Sequence, residues 1–163
     1  MVSLKGREGG CLCGAIRYRL EEEPMIINAC HCADCQTISG SAFVLNMWME
    51  DKNVTLLGDD PVSYMNKSGS GNIHEIMHCE ECGTDVFSKY HASIGIDKMV
   101  RVGTLDDVSG VEPDVHVHTA SRQSWLKLPE DKPIFEGFYN VMEQFSEASK
   151  ARFKAMMAEI SKE

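Results

Sequence analysis

Short runs in which polar and apolar residues alternate occupy most of the chain up to residue 118. In the run 15–20, Ile16, Tyr18 and Leu20 alternate with Ala15, Arg17 and Arg19, which is the period-two pattern of a half-buried strand. Similar runs predict strands at 25–29, 42–49, 54–57, 62–65, 73–78, 85–90, 99–102 and 115–118. The glycine-rich segment 68–72 predicts a hairpin loop, and 36–41 predicts a turn. The pattern therefore predicts a mainly β, mostly antiparallel fold.

The period changes to three and four residues after residue 139, which predicts an amphipathic helix over 140–163. Its apolar stripe comprises Val141, Met142, Phe145, Ala148, Phe153, Met156, Met157 and Ile160. We expect this stripe to pack against the rest of the chain or, in a homodimer, against a second subunit, rather than to hold a cofactor. The predicted organisation is a β domain over 1–138 and a helical extension over 139–163.

Composition and charge exclude several classes of function. The chain has 163 residues, of which 43% are hydrophobic, enough for a real core. Its formal net charge of -9 argues against a nucleic-acid partner, whose phosphates are bound by Lys and Arg. The sequence contains no run of eighteen apolar residues, so we expect no membrane span. The first ten residues lack the apolar region of a secretory signal, so we expect a cytoplasmic protein.

Three of the seven cysteines, Cys30, Cys32 and Cys35, fall within six residues. In a reducing compartment such cysteines are better interpreted as metal ligands than as disulfides. A tight turn would aim the three sulfurs at one tetrahedral zinc ion, and a fourth position would remain for water or substrate, as in catalytic zinc sites. The alternative is three unrelated buried cysteines, since free cysteine is often buried.

The other four cysteines form two pairs, Cys11 with Cys13 and Cys79 with Cys82. Both pairs are next to glycines that suit tight turns. Together they would make a closed four-thiolate site that joins the first strand to the middle of the chain. Spacing alone leaves open which pair joins which site.

Five segments together carry a resemblance to a known family: the pattern G-x-C-x-C-G-x-I-x-Y at 9–18, CHCADCQTISGSAF at 30–43, CEECGT at 79–84, VGTLDD at 102–107, and 116–125. The chain resembles the glutathione-dependent formaldehyde-activating enzyme family, whose members share a β-rich, Mss4-like fold. The resemblance implies a structural zinc at Cys11, Cys13, Cys79 and Cys82. It also implies a second, exchangeable zinc site at Cys30, Cys32 and Cys35, associated with glutathione.

The implied activity is that of a zinc-dependent carbon–sulfur lyase acting on glutathione or a related thiol adduct, as an S-hydroxymethylglutathione synthase does. Its partner would be a small thiol or aldehyde adduct. The alternative is a zinc-stabilised protein-interaction or thiol-binding module without catalysis, which would need only the four-cysteine site. A third class, methionine sulfoxide reduction, would need a reactive cysteine late in the chain, and none follows Cys82.

Several other side chains near the triplet are candidates for roles in this chemistry. His31 would either relay a proton near neutral pH or be a solvated or core-bonded histidine. Structural and functional roles are both open for His116, whereas His118 is expected to be structural. Asp34 is expected to stabilise a turn, or else to accept a hydrogen bond near the metal.

Binding of glutathione would need groups for its backbone and its carboxylates. Gly40 and Ser41 would offer backbone and hydroxyl donors, although a plain turn explains them as well. The resemblance places Arg122 best for a carboxylate, and a solvated arginine is the alternative.

Overall fold

The computed structural model describes residues 2–90 and 96–160. Within these two ranges, ten strands form the body of the fold: β1 Glu8–Gly10, β2 Arg17–Leu20, β3 Ile26–Cys30, β4 Val44–Glu50, β5 Val54–Leu56, β6 Val62–Lys67, β7 Ile73–His78, β8 Asp85–Tyr90, β9 Asp97–Arg101 and β10 Val115–Val117. The helices are α1 Ala33–Ser39, α2 Val141–Gln144 and α3 Glu147–Ile160, with short 3-10 turns at Asp51–Asn53, Val102–Thr104 and Thr119–Ser121. Residues 161–163 of the predicted helix lie outside the described residues.

The strands form two sheets. The large sheet has the order β10-β3-β4-β9-β8-β7-β6, and the small sheet has the order β1-β2-β5. All strand pairs are antiparallel except β10, which runs parallel to β3. This confirms the predicted mainly β, Mss4-like fold with a C-terminal helix. Each of the predicted strands appears within two residues of its expected bounds, and β1 is the addition that the pattern missed.

The main core lies between the two sheets. Tyr18 and Leu20 of the small sheet are fully buried, as are Met47 and Phe87 of the large one. The ring of Tyr18 meets that of Phe87 edge to face at 5.2 Å, and its hydroxyl hydrogen-bonds Thr104 at 2.8 Å. The alternation that predicted the strand at 15–20 therefore reflects this buried face.

The C-terminal segment covers part of the opposite face of the large sheet, at β3 and β4. Trp48 of β4 packs edge to face against Phe145 and Phe153, with ring centroids 5.4 and 5.8 Å away. The hydroxyl of Tyr139 donates to Asn28 Oδ1 at 2.9 Å. Phe145 and Phe153 of the predicted apolar stripe thus pack against the β sheet of their own chain, whereas Met142 and Met157 of the same stripe are exposed.

The C-terminal segment is two helices rather than the single predicted helix. Phe145 interrupts the helical backbone and is buried on Trp48, with 3% of its surface exposed. The hydroxyl of Ser146 then accepts a hydrogen bond from the N–H of Ser149, which is the capping pattern of a new helix start. None of the helices in the described residues is both long and apolar enough to cross a membrane.

The turn predicted at 36–41 is wrong, because α1 occupies Ala33–Ser39. The sulfur of Cys32 caps the helix by accepting from the N–H of Cys35, and Gly40 ends it in the left-handed conformation with its N–H bonded to Gln36 O. Cysteine is not among the usual capping residues. The pattern therefore gave no start signal for this helix.

Candidate metal centres and their surroundings

Two tight turns hold the four-cysteine cluster. In the first, the N–H of Gly14 donates to Cys11 O at 3.1 Å, and in the second the N–H of Gly83 donates to Cys79 O at 2.9 Å. Both glycines have positive φ, 85° and 70°, which side chains rarely adopt. The N–H of Leu12 donates to Thr84 Oγ1 at 3.2 Å and so joins the two turns.

This arrangement brings the sulfurs of Cys11, Cys13, Cys79 and Cys82 within 4.8 Å of one another. The Cys11–Cys13 and Cys13–Cys79 sulfur separations are 3.4 and 3.6 Å. Four thiolates around a tetrahedral zinc ion at about 2.3 Å would be about 3.8 Å apart. The cluster therefore fits a closed metal site.

Hydrogen bonds already favour the thiolate form at one of these ligands. The side-chain hydroxyl of Thr84 and then its backbone N–H donate towards Cys82 and lower the pKa of that thiol to about 5. The hydroxyl lies 3.2 Å from the sulfur. Since the thiolate is the form that binds metal, Thr84 stabilises the metal-binding form of Cys82.

The three-cysteine cluster lies where β3 passes into α1. Cys30 ends β3 and is paired with Val44 of β4 and Val117 of β10. Cys32 is the N-cap of α1, and Cys35 lies in its first turn, fully buried. The sulfurs of Cys30, Cys32 and Cys35 lie within 4.8 Å of one another, so this cluster too could hold a metal ion.

The three thiols of this cluster differ in their pKa values. Hydrogen bonds from the thiols of Cys30 and Cys35 hold the pKa of Cys32 well below its usual range. Hydrogen bonds with the sulfurs of Cys32 and Cys35, and then burial, raise the pKa of Cys30. The backbone N–H of Cys35, 3.3 Å from the sulfur of Cys32, further favours a thiolate there. Cys32 is therefore the first ligand expected to be charged.

His31 faces a second histidine. Its Nε2 lies 3.0 Å from Nδ1 of His116, and the two rings stack with centroids 5.3 Å apart. Burial, and then the charges of His116 and Arg122, lower the pKa of His31 to about 4. His31 is thus neutral at pH 7 and is core-bonded rather than solvated, and its role as a proton relay stays a prediction.

Two further candidates have clear structural contacts. Asp34 Oδ2 accepts a hydrogen bond from the N–H of Gly69 at 2.8 Å, which fastens the β6–β7 hairpin loop to α1. The prediction of a loop at 68–72 is confirmed. His118 has a φ of 56°, and its ring packs on Phe138 with centroids 5.8 Å apart. Both residues therefore hold segments in place around the triplet.

The residues predicted to bind glutathione lie at the outer end of α1. Gly40 and Ser41 line a cavity of about 400 Å³ together with Gln36, Gln123 and the largely exposed Trp125. The N–H of Gly40 donates to Gln36 O and the N–H of Ser41 donates to Ser39 Oγ at 3.2 Å, so both backbone donors already have an acceptor within the chain. Arg122 is exposed, and its charge acts on His31. Their binding of a ligand stays a prediction.

Sequence reasoning missed two charged residues on the other side of α1. Arg101, at the end of β9, and Asp85, at the start of β8, line a larger cavity of about 540 Å³. Arg101 is 6% exposed. In the sequence Arg101 lies between Val100 and Val102 at a strand position. The alternation of polar and apolar residues predicts that strand, but it does not indicate that the face carrying Arg101 is buried.

Comparisons with known proteins bear on this arrangement of clusters. A crystal structure of a Rhodobacter sphaeroides protein is similar at 17% identity, with a TM-score of 0.45, covering 65% of this chain and 91% of that one. No curated protein matched the chain. Residues 6–121, more than half of the chain, match the family described as "Glutathione-dependent formaldehyde-activating enzyme". This match contains all seven cysteines of the two clusters, and the chain belongs to that family.

Proposed function

We propose that the protein is a zinc-dependent carbon–sulfur lyase-type enzyme that makes and breaks the adduct between a small thiol, glutathione or a relative, and an aldehyde. In the synthetic direction the thiol sulfur bonds to the carbonyl carbon, and the thiol proton ends on the carbonyl oxygen. With formaldehyde the product is the S-hydroxymethyl thiol. The reverse reaction releases the same two compounds, so no other reactant is needed.

The observation that carries this proposal is the second cluster. Cys30, Cys32 and Cys35 gather three sulfurs apart from the closed four-sulfur site. The described part of the chain supplies no fourth Cys, His, Asp or Glu ligand to this group. A structural module would need the four-cysteine site alone, whereas three ligands are typical of zinc sites that accept an outside ligand.

The chain's own residues would hold the ion and favour its thiolate ligands. Zinc bound there would keep an incoming thiol deprotonated near neutral pH. Cys32 lies at the start of α1, where the N–H of Cys35 and the helix dipole favour a negative sulfur. Cys30 and Cys35 are buried, which excludes water from two sides of the cluster.

The family match supports the thiol and aldehyde class, since its description names both glutathione and formaldehyde. We propose zinc for both clusters on the chemistry of the ligands, because tetrahedral sites made of thiolates are typical of zinc. The rival proposal is a thiol-binding module without catalysis. It shares the same metal sites, so only a rate separates the two.

The decisive experiment measures exchange between glutathione, formaldehyde and their adduct by NMR magnetisation transfer, because the reaction also proceeds without enzyme. We expect the protein to raise the exchange rate above the uncatalysed rate. Cys35→Ser should remove this increase and leave about one zinc per chain, held by the four-cysteine site.

Two results would overturn the proposal. Tight glutathione binding without faster exchange would identify a binding module. An unchanged exchange rate in Cys35→Ser would mean that the triplet is not the site of reaction. Asp59→Asn serves as the control and should leave the exchange rate unchanged, since Asp59 is exposed and lies in neither cysteine cluster and in the wall of neither cavity.

A further inference from the structure

The larger cavity lies between the two cysteine clusters. One wall is the last turn of α1, with Ile38 and Ser39, and another includes Gly83 beside the ligand Cys82. Its volume of about 540 Å³ is within the usual range for small-molecule sites. The remaining walls are mainly apolar, with Phe43, Val102 and Val108 among them.

Arg101 forms part of the wall of this cavity and is an unusual residue to bury. Only 6% of its surface is exposed. Its Nη1 donates to Asn46 Oδ1, but its Nη2 has no hydrogen-bond partner among residues 2–90 and 96–160. A buried cation with an unused donor is costly unless an anion is supplied. Arg101 is therefore a candidate to bind the carboxylate of a ligand.

Asp85 lines the same cavity and is half-buried. Within the described part of the chain its carboxylate makes neither a hydrogen bond nor an ion pair, although the charge of Arg101 acts on it through space. Burial raises the pKa of Asp85. One cavity thus contains a positive and a negative group that do not pair with each other.

The two charges select among classes of ligand. A simple anion attracted by Arg101 would meet the carboxylate of Asp85, and a simple cation attracted by Asp85 would meet Arg101. A zwitterion satisfies both groups, and each charge-assisted hydrogen bond contributes about 1.5–3 kcal/mol. The mainly apolar walls add a preference for an apolar side chain.

We propose that this cavity binds an α-amino-acid group, with its carboxylate on Arg101, its ammonium on Asp85, and an apolar side chain against Ile38, Phe43 and Val102. The wall formed by Ile38 and Ser39 belongs to the helix that carries Cys35. The inference concerns binding and goes beyond the reaction proposed above.

The test uses the full chain as purified, with its metal content measured, and three matched probes. L-norleucine carries both charges, hexanoate lacks the ammonium, and pentylamine lacks the carboxylate. None of them contains sulfur, so the result is independent of any reaction at the triplet. By calorimetry or ligand-observed NMR, norleucine should bind at least about tenfold more tightly than either of the other two.

Variants locate the binding. Asp85→Asn should weaken norleucine about tenfold and narrow its advantage over hexanoate, because the repulsion of the anion is removed. Val108→Trp should fill part of the cavity and weaken norleucine without touching either charge. Asp59→Asn and Leu57→Trp are the matched controls, since both residues are exposed and neither lines the cavity.

Arg101→Met should abolish the preference for ligands with a carboxylate. If Arg101→Met fails to fold, Asp85→Asn and Val108→Trp still test the site. Hexanoate that binds as tightly as norleucine would overturn the zwitterion site. So would the absence of norleucine binding at millimolar concentration. Binding that is unchanged by both Asp85→Asn and Val108→Trp would place the ligand elsewhere and overturn the proposal as well.

Discussion

The sulfur of Cys13 lies 3.6 Å from the sulfur of Cys79, although 66 residues separate them in the sequence. This contact joins the turn before β2 to the turn between β7 and β8, so it links the small sheet to the large one. Cys30 and Cys35, by contrast, close a loop of only six residues. Since the entropy of closing a loop grows with its length, a metal at the first cluster constrains the unfolded chain more.

We therefore expect Cys79→Ser to destabilise the protein far more than Cys35→Ser. A structural zinc contributes apparent binding energy of about 10–16 kcal/mol, and whole domains are stable by only about 5–15 kcal/mol. Cys79→Ser should unfold the chain or lower its melting temperature greatly. Cys35→Ser should lose one zinc and keep most of the stability. Thermal melts and zinc content of the two variants, measured side by side, would contradict these roles if both melted equally early.

The cysteine clusters could be predicted from the sequence because metal chemistry needs particular residue types at short spacing. Cys30, Cys32 and Cys35 stand out in any reading of the chain, and so do the two flanking pairs. The strands were predictable for a similar reason, since one buried face imposes a period of two. Both signals are local in the sequence.

The rest of the site depends on contacts between distant segments. Arg101 and Asp85 share a cavity only because the bulged start of β8 and the end of β9 meet beside α1. His31 pairs with His116, 85 residues away, because β10 runs parallel to β3. No local pattern encodes such neighbours. The start of α1 was missed for a different reason, since its cap is a cysteine sulfur.

The buried His74 gives the stability a dependence on pH. Its ring stacks on Tyr90 with centroids 4.2 Å apart, and burial, then the charge of Arg101, lowers its pKa to about 4. The unfolded chain, with a pKa near about 6.5, takes up a proton more readily. The contribution of His74 to stability is therefore complete well above about pH 6.5 and is lost as the pH falls towards about 4.

His74→Phe should keep the stacking on Tyr90 and remove this titration. Between about pH 7 and about pH 5, the free energy of unfolding of the wild type should fall by about 2 kcal/mol more than that of the variant. Denaturant unfolding at both pH values measures the difference, which cancels contributions from the metal sites common to both proteins. Parallel pH profiles for the two proteins would show that His74 titrates normally.

Phe145 should be the main apolar anchor of the C-terminal helices. It is 3% exposed and contacts the rings of Trp48 and Phe153 edge to face. Phe145→Ala should lower the free energy of unfolding by about 3–5 kcal/mol and change the near-ultraviolet circular dichroism of Trp48. Met142→Ala is the control, since Met142 is 37% exposed. This substitution should lower the free energy of unfolding by less than about 1 kcal/mol. Equal losses in the two variants would contradict the role of Phe145.

Arg152 of α3 and Glu50 of β4 form an ion pair at the junction between the C-terminal helices and the large sheet. Arg152 Nε donates to Glu50 Oε1 at 2.7 Å, its Nη2 donates to Oε2, and its Nη1 donates to Glu23 O at 2.8 Å. Glu50 is only 4% exposed. A second pair at the same junction, Lys52 with Glu159, is 65% and 54% exposed at its side chains.

The two pairs should respond very differently to loss of the cation. Arg152→Met should lower the free energy of unfolding by about 3 kcal/mol, because it leaves the carboxylate of Glu50 buried without its cation. Lys52→Met should cost at most about 1 kcal/mol, since water already solvates that pair. The double variant Glu50→Gln/Arg152→Met should recover part of the loss, because no charge then remains buried. Urea unfolding of the four proteins gives these differences, and a cost for Arg152→Met no larger than that for Lys52→Met would show that water reaches Glu50.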